Sequence, residues 1–174
     1  MEVREIARRY ADEVWNAGRL EVTDELFTAD HRYHDPLIPD LPRGPHGVRV
    51  RASAYLGAMP DAVLAIEDWV EDADTLAARW TWVGTHTGEL FGMPATGRRA
   101  ATTGIHIFHF SGDMIAETWV SHDALGLLTQ LGLVTLNIGV GSRQPEGGRG
   151  VPAHSPPTVL VRRPEPPRAP AATG

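Results

Sequence analysis

At Pro60 the chain changes its hydrophobic period, and that change constrains the fold more than any other feature of the sequence. Ala62 to Glu71, Thr75 to His86, Arg98 to Phe110 and Met114 to His122 each alternate apolar and polar residues, the repeat of a strand with one buried face. Asp72-Ala73-Asp74 and Ser111-Gly112-Asp113 are turn signals that join neighbouring runs as antiparallel hairpins. Before Pro60 the repeat is helical. Val3, Ile6, Ala7, Tyr10, Ala11, Val14 and Trp15 form a stripe that stops at Asn16-Ala17-Gly18. Val22 to Phe27 suits a second short helix capped by Thr23 or Asp24, and Gly47 to Met59, with Val48, Ala52, Tyr55 and Leu56 on one side, suits a third. His31 to Pro45, rich in Pro and Asp, reads as irregular chain, and Leu125 to Leu131 as a closing helix ended by Gly132. Helices followed by long antiparallel strands describe an α+β domain, with helices covering one face of a curved sheet and an apolar pocket between the layers.

That domain spans residues 1–141. From Ser142 the chain turns to Pro, Gly, Arg and Ser, a composition that cannot bury enough apolar surface to offset ordering entropy, so 142–174 is expected to be a disordered tail. Within it, the apolar run Thr158 to Val161 could pair with a sheet edge. Up to Gly141 there are 11 Arg against 20 Asp plus Glu, an acidic balance that argues against nucleic acid as partner. No run of about 18 apolar residues is present to span a bilayer. The N-terminus lacks the apolar core of a signal peptide, and a cytoplasmic protein is expected. The absence of Lys excludes Schiff-base and P-loop chemistry, and the absence of Cys excludes thiolate metal sites and Cys nucleophiles.

Several side chains could carry chemistry. His106 shares strand parity with Gly104, Phe108 and Phe110, an otherwise apolar face, while His109 lies on the opposite one. His86 shares parity with Trp80, Trp82 and Gly84, a set that could stack on a flat polycyclic substrate or pack as plain core. His34-Asp35 falls at the expected mouth of the pocket. Together with His31 it offers three metal donors, but with no second cluster at ligand spacing no metal is expected. Ser121-His122-Asp123 is not a hydrolytic triad, because adjacent strand residues point to opposite faces. Asp123 sits between a strand and an apolar helix, so it can cap that helix, and Glu117 and Trp119 share its parity.

The blocks WNAG, DELFTADHRYHDP, PDAVLAIEDWV, ARWTWVGTHTGELFGMPATGRR and GIHIFHFSGDMIAETWVSHDALGLLTQLG, running from Trp15 to Gly132, resemble the successive blocks of SnoaL-like polyketide cyclases. The resemblance implies the cone-shaped fold shared with nuclear transport factor 2. It also implies an enzyme that needs no cofactor and closes a ring on a polyketide-type intermediate by acid/base catalysis of the aldol type. Asp123 falls on the family's general acid/base, and His106 on a site histidine of the preceding strand. His34, Asp35, Trp80, Trp82, His86, Phe91, Met93, Phe108 and Trp119 are the expected substrate-binding residues. His109 stands where an arginine is common, and Ala95 where a proline is. Relatives of the same shape open epoxides to form pyrans, hydroxylate without a cofactor, or bind ligands without catalysis, and these readings remain open. A homodimer or homotetramer is expected, since the outward parity still carries Val83, Ile105 and Ile107.

Overall fold

The computed structural model describes residues 2–137 and 158–161. Helix α1 (Val3–Arg9) continues as a π-helical segment, Tyr10–Asn16, so the predicted stripe stays on one buried face from Ile6 to Trp15. Gly18, at φ +67°, ends it in the left-handed region that glycine adopts without strain. A turn of 3-10 helix (Leu20–Val22) leads into the short α2 (Thr23–Leu26), where the Thr23 hydroxyl donates to the Leu20 carbonyl at 2.6 Å. Strand β1 (Phe27–His34) follows, and α3 (Pro45–Ala58) then starts with proline in its first turn, where the missing N–H costs nothing.

Strands β2 (Val63–Asp72), β3 (Thr75–Thr85), β4 (Arg99–Ser111) and β5 (Met114–His122) form the predicted antiparallel meander. Sheet order is β1-β5-β4-β3-β2, with β1 added in parallel along the edge of β5. The reading of 31–45 as irregular chain is corrected by this first strand. Its register jumps between Phe27 and Arg32, and its inward residues after the jump are His31 and Tyr33, so neither the period nor the composition marks it as a strand.

A second register shift reshapes the site. His109 pairs with Glu117 while Phe110 pairs with Ile115, so Ala116 is an extra residue in β5. Such a bulge flips the side-chain alternation beyond it. Ile115 is buried before the bulge; after it Thr118, Val120 and the partly buried His122 turn inward, while Trp119 and Ser121 turn out. Helix α4 (Ala124–Gln130) then closes the end of the cone, and β6 (Val134–Asn137) pairs antiparallel with β7 (Thr158–Val161), the apolar run noted above. The rest of the segment expected as a tail lies outside the described residues. No helix among the described residues is long and apolar enough to cross a membrane.

Candidate active site

The inner face of β3, β4 and β5 meets the helical layer around a small cavity of about 20 Å³, room for little more than one water. Its walls are Trp15 from the π-helical segment, Arg51 and Tyr55 from α3, Leu64 from β2, Trp80 and Trp82 from β3, Thr102 and His106 from β4, and His122 from β5. Gly104 makes room for this arrangement. A Cβ there would strike Trp80 and lie 2.8 Å from both the His122 Cβ and the Ser121 carbonyl. Glycine therefore lets the indole of Trp80 lie across the strand beside His106, with ring centroids 5.3 Å apart and nearly parallel.

Polar groups enter this apolar chamber in two connected sets. In the first, the Tyr10 hydroxyl lies 3.3 Å from the Tyr33 hydroxyl, which lies 2.8 Å from His106 Nε2. Burial pushes the Tyr33 hydroxyl well above its ordinary range and the His106 imidazolium well below, with the Arg51 charge adding to the latter, so both stay neutral near neutral pH. In the second, Arg51 Nε donates to Asp35 Oδ2 at 2.7 Å and the Leu37 amide donates to Asp35 Oδ1 at 2.8 Å. The rings of Trp15, Tyr33 and Tyr55 all lie about 5 Å from the Arg51 guanidinium carbon, so this buried cation is held by aromatic faces as well as by its carboxylate. His122 borders both sets. Its Nε2 lies 3.4 Å from the Tyr55 hydroxyl, and burial, with Arg51 second, holds it neutral.

The structure brings together only part of the expected site. His106, Trp80 and Trp82 line the cavity, and Asp35 supports it through Arg51. Trp119 and His34 do not line it: past the Ala116 bulge they stack on each other outside the sheet, centroids 3.8 Å apart, and His34 Nε2 lies 2.8 Å from Glu117 Oε1. This contact holds Glu117 below the usual carboxylate range. Asp123 is exposed, and its Oδ1 accepts from the Gly126 amide at 2.8 Å as the N-cap of α4. The parity that joined Glu117, Trp119 and Asp123 to the cavity is thus corrected by one inserted residue. His86 is buried but does not line the chamber, its Nδ1 receiving the Thr96 amide at 3.3 Å, and Phe108 packs between Phe110 and His106. Phe91 is exposed on a loop at φ +50° with its ring edge-on to Tyr55, and Met93 packs partly buried against the core. Six lining residues escaped the sequence reading: Trp15, Arg51, Tyr55, Leu64, Thr102 and His122. Arg51 carries a usable signal, because it lies on the buried stripe of α3 with Gly47, Val48 and Tyr55, where a lone arginine is out of place. His122 carries none, because the bulge that turns it inward leaves no mark in the sequence. Trp15 was read only as helix core.

Comparison with known proteins agrees with the fold. The family model for SnoaL-like polyketide cyclase matches residues 5–131. The chain is 30% identical over 125 residues to the aklanonic acid methyl ester cyclase DauD of Streptomyces sp. strain C5, covering 69% of this chain and 76% of that one. It is 29% identical over 123 residues to the aklanonic acid methyl ester cyclase DnrD of Streptomyces peucetius, covering 69% and 84%. Among solved structures, TsrD of Streptomyces laurentii superposes with a TM-score of 0.68 at 29% identity, covering 75% of this chain and 94% of that one. A five-stranded cone wrapped on N-terminal helices, with this family match over its whole length, makes the chain a cyclase of the SnoaL-like polyketide cyclase family, in the fold of nuclear transport factor 2.

Proposed function

We propose that the chain closes a ring on a polyketide-type intermediate by an intramolecular aldol reaction, using its own side chains for proton transfer. The relatives named for ring closure of aklanonic acid methyl ester support the reaction class. In such a step a carbon next to a carbonyl loses a proton, the resulting enolate carbon bonds to a second carbonyl carbon, and that carbonyl oxygen takes up a proton. No atom is lost, so product and substrate have the same mass. The observation that carries the reading is that two neutral imidazoles, His106 and His122, border a largely apolar chamber. A neutral imidazole can take the carbon-bound proton and return it to the new alkoxide.

His122, at the rim and only loosely tied to Tyr55, is the better placed of the two for proton transfer, while His106 is committed to the Tyr33 hydroxyl and orients. Asp123, which matches the family's acid/base position, follows His122 directly in the chain and faces solvent. Turnover of aklanonic acid methyl ester, followed as an isomer of unchanged mass and new retention time, tests the reading. His122→Gln should lose roughly 100- to 10,000-fold, the ordinary worth of a general acid/base, and Asp123→Asn, which keeps the cap, tenfold at most. The opposite ranking would return the role to Asp123.

A further inference from the structure

The cavity is too small for what a cyclase must hold. It has room for little more than one water, whereas a single benzene ring occupies a cavity of about 150 Å³. To admit a ring, one of its walls has to move. Trp80, Trp82, Thr102 and His106 are built into the paired strands β3 and β4, and Arg51 is tied to Asp35. Tyr55, near the end of α3, is held more loosely: its hydroxyl lies 3.4 Å from His122 Nε2. Its ring meets Trp15, Trp82 and His122, which line the cavity, and also Phe91, which does not line it and is 45% exposed. Tyr55 is thus the wall between the chamber and a side chain that reaches solvent.

Phe91 also stands in an unusual place. Leu90 and Met93 exchange two hydrogen bonds of 2.9 Å around Phe91 and Gly92, whose φ values of +50° and +78° are those of a type I′ turn. Asn, Asp and Gly suit the first of those positions, and a bulky aromatic residue rarely takes it. Nothing in the turn calls for phenylalanine, so the ring's work lies outside it, where it sits edge-on to Tyr55 with centroids 5.4 Å apart. The base of the loop is fixed: the Thr87 and Gly88 amides both donate to the Ala58 carbonyl at 3.0 Å, and a Cβ at Gly88 would strike the Gly57 carbonyl. We propose that Phe91 is a latch: its ring holds Tyr55 in the wall, and its release lets Tyr55 turn out and opens the chamber at the end of α3. What then enters is taken from the cyclase reading; the latch itself rests on the cavity and the turn.

Hydrogen exchange tests the latch without any ligand, so a failed cyclase assay and a failed latch are separate results. Trp15 Nε1 and Trp82 Nε1 are buried and have no acceptor among the described residues, so their protons exchange with solvent deuterium only when the packing around them opens. Both rings touch Tyr55. By NMR, relative to their unprotected rates, these two protons should exchange faster in the wild-type protein than the core amides of β4, through an opening short of unfolding. Phe91→Asn keeps the turn, since Asn-Gly is its favoured pair, and removes the ring. It should speed the two indole protons roughly twofold to tenfold, the worth of one aromatic edge contact, and leave the β4 amides no faster. Wild-type indole protons as protected as the β4 amides, indole rates unmoved in Phe91→Asn, or an increase that the β4 amides share would each overturn the latch.

Discussion

His31 makes the inner layer sensitive to acid. It is buried, its Nε2 lies 2.9 Å from the Thr118 hydroxyl, and burial pushes its pKa down from 6.5 to about 4. Between those values the unfolded chain binds a proton that the folded chain refuses, so this contribution is fully present above pH 6.5 and is lost as pH falls toward 4. The shift corresponds to on the order of 3 kcal/mol. His86, His106 and His122, lowered for the same reason, act in the same direction. Urea unfolding at several pH values should show stability declining across that window, and His31→Asn should flatten the decline; an unchanged slope would remove His31 from the account. At this scale the sequence was legible where a residue type and a period agree. His106 with Gly104 and Phe108 is such a case, and so are Trp80 and Trp82. Asp123 was read as a helix cap from its place in the chain and as an acid/base only from the family resemblance; the cap is what the structure shows, and the carboxylate is not among the groups lining the chamber. Arg51 was passed over because it is one of two arginines on an otherwise ordinary helix.

Among the elements, the strands were readable and their irregularities were not. Four runs of alternation became β2 to β5 within a residue or two at each end. The bulge at Ala116 was invisible, because an inserted residue in a strand needs no special side chain; it shows only in the pairing with β4. Its consequence is large, since it decides that His122 faces the cavity and Trp119 the outside. β1 was lost for a related reason, as its pairing partner is remote in sequence and its own alternation is broken. Gly104 is where the element geometry meets the site, with the indole of Trp80 on one side and His122 paired across the strands. Gly104→Ala should cost about 1–3 kcal/mol by overpacking and should displace Trp80 or His122. Thermal melting together with tryptophan fluorescence reads both effects; a variant with wild-type melting and spectrum would mean that the wall yields freely.

For the whole molecule, the outer face of the sheet remains apolar where a lone protein would gain by charge. Ile105, Ile107 and Trp119 are 48%, 39% and 47% exposed on neighbouring strands. We expect this face to be covered by another copy of the chain, giving a homodimer or homotetramer. Light scattering at micromolar concentration should find no free monomer, and Ile105→Arg combined with Ile107→Glu should shift the mass downward; a wild-type monomer would end this expectation. The parallel seam between β1 and β5 has a separate consequence, for biosynthesis. Tyr33 reaches His106 across 73 residues and His31 reaches Thr118 across 87. On a ribosome, β1 emerges early and must wait, unpaired along that edge, until β5 clears the exit tunnel. The chamber therefore cannot be built in instalments: the nascent chain has no active site until nearly all of the cone has been translated, and then the last strand completes it in one closure.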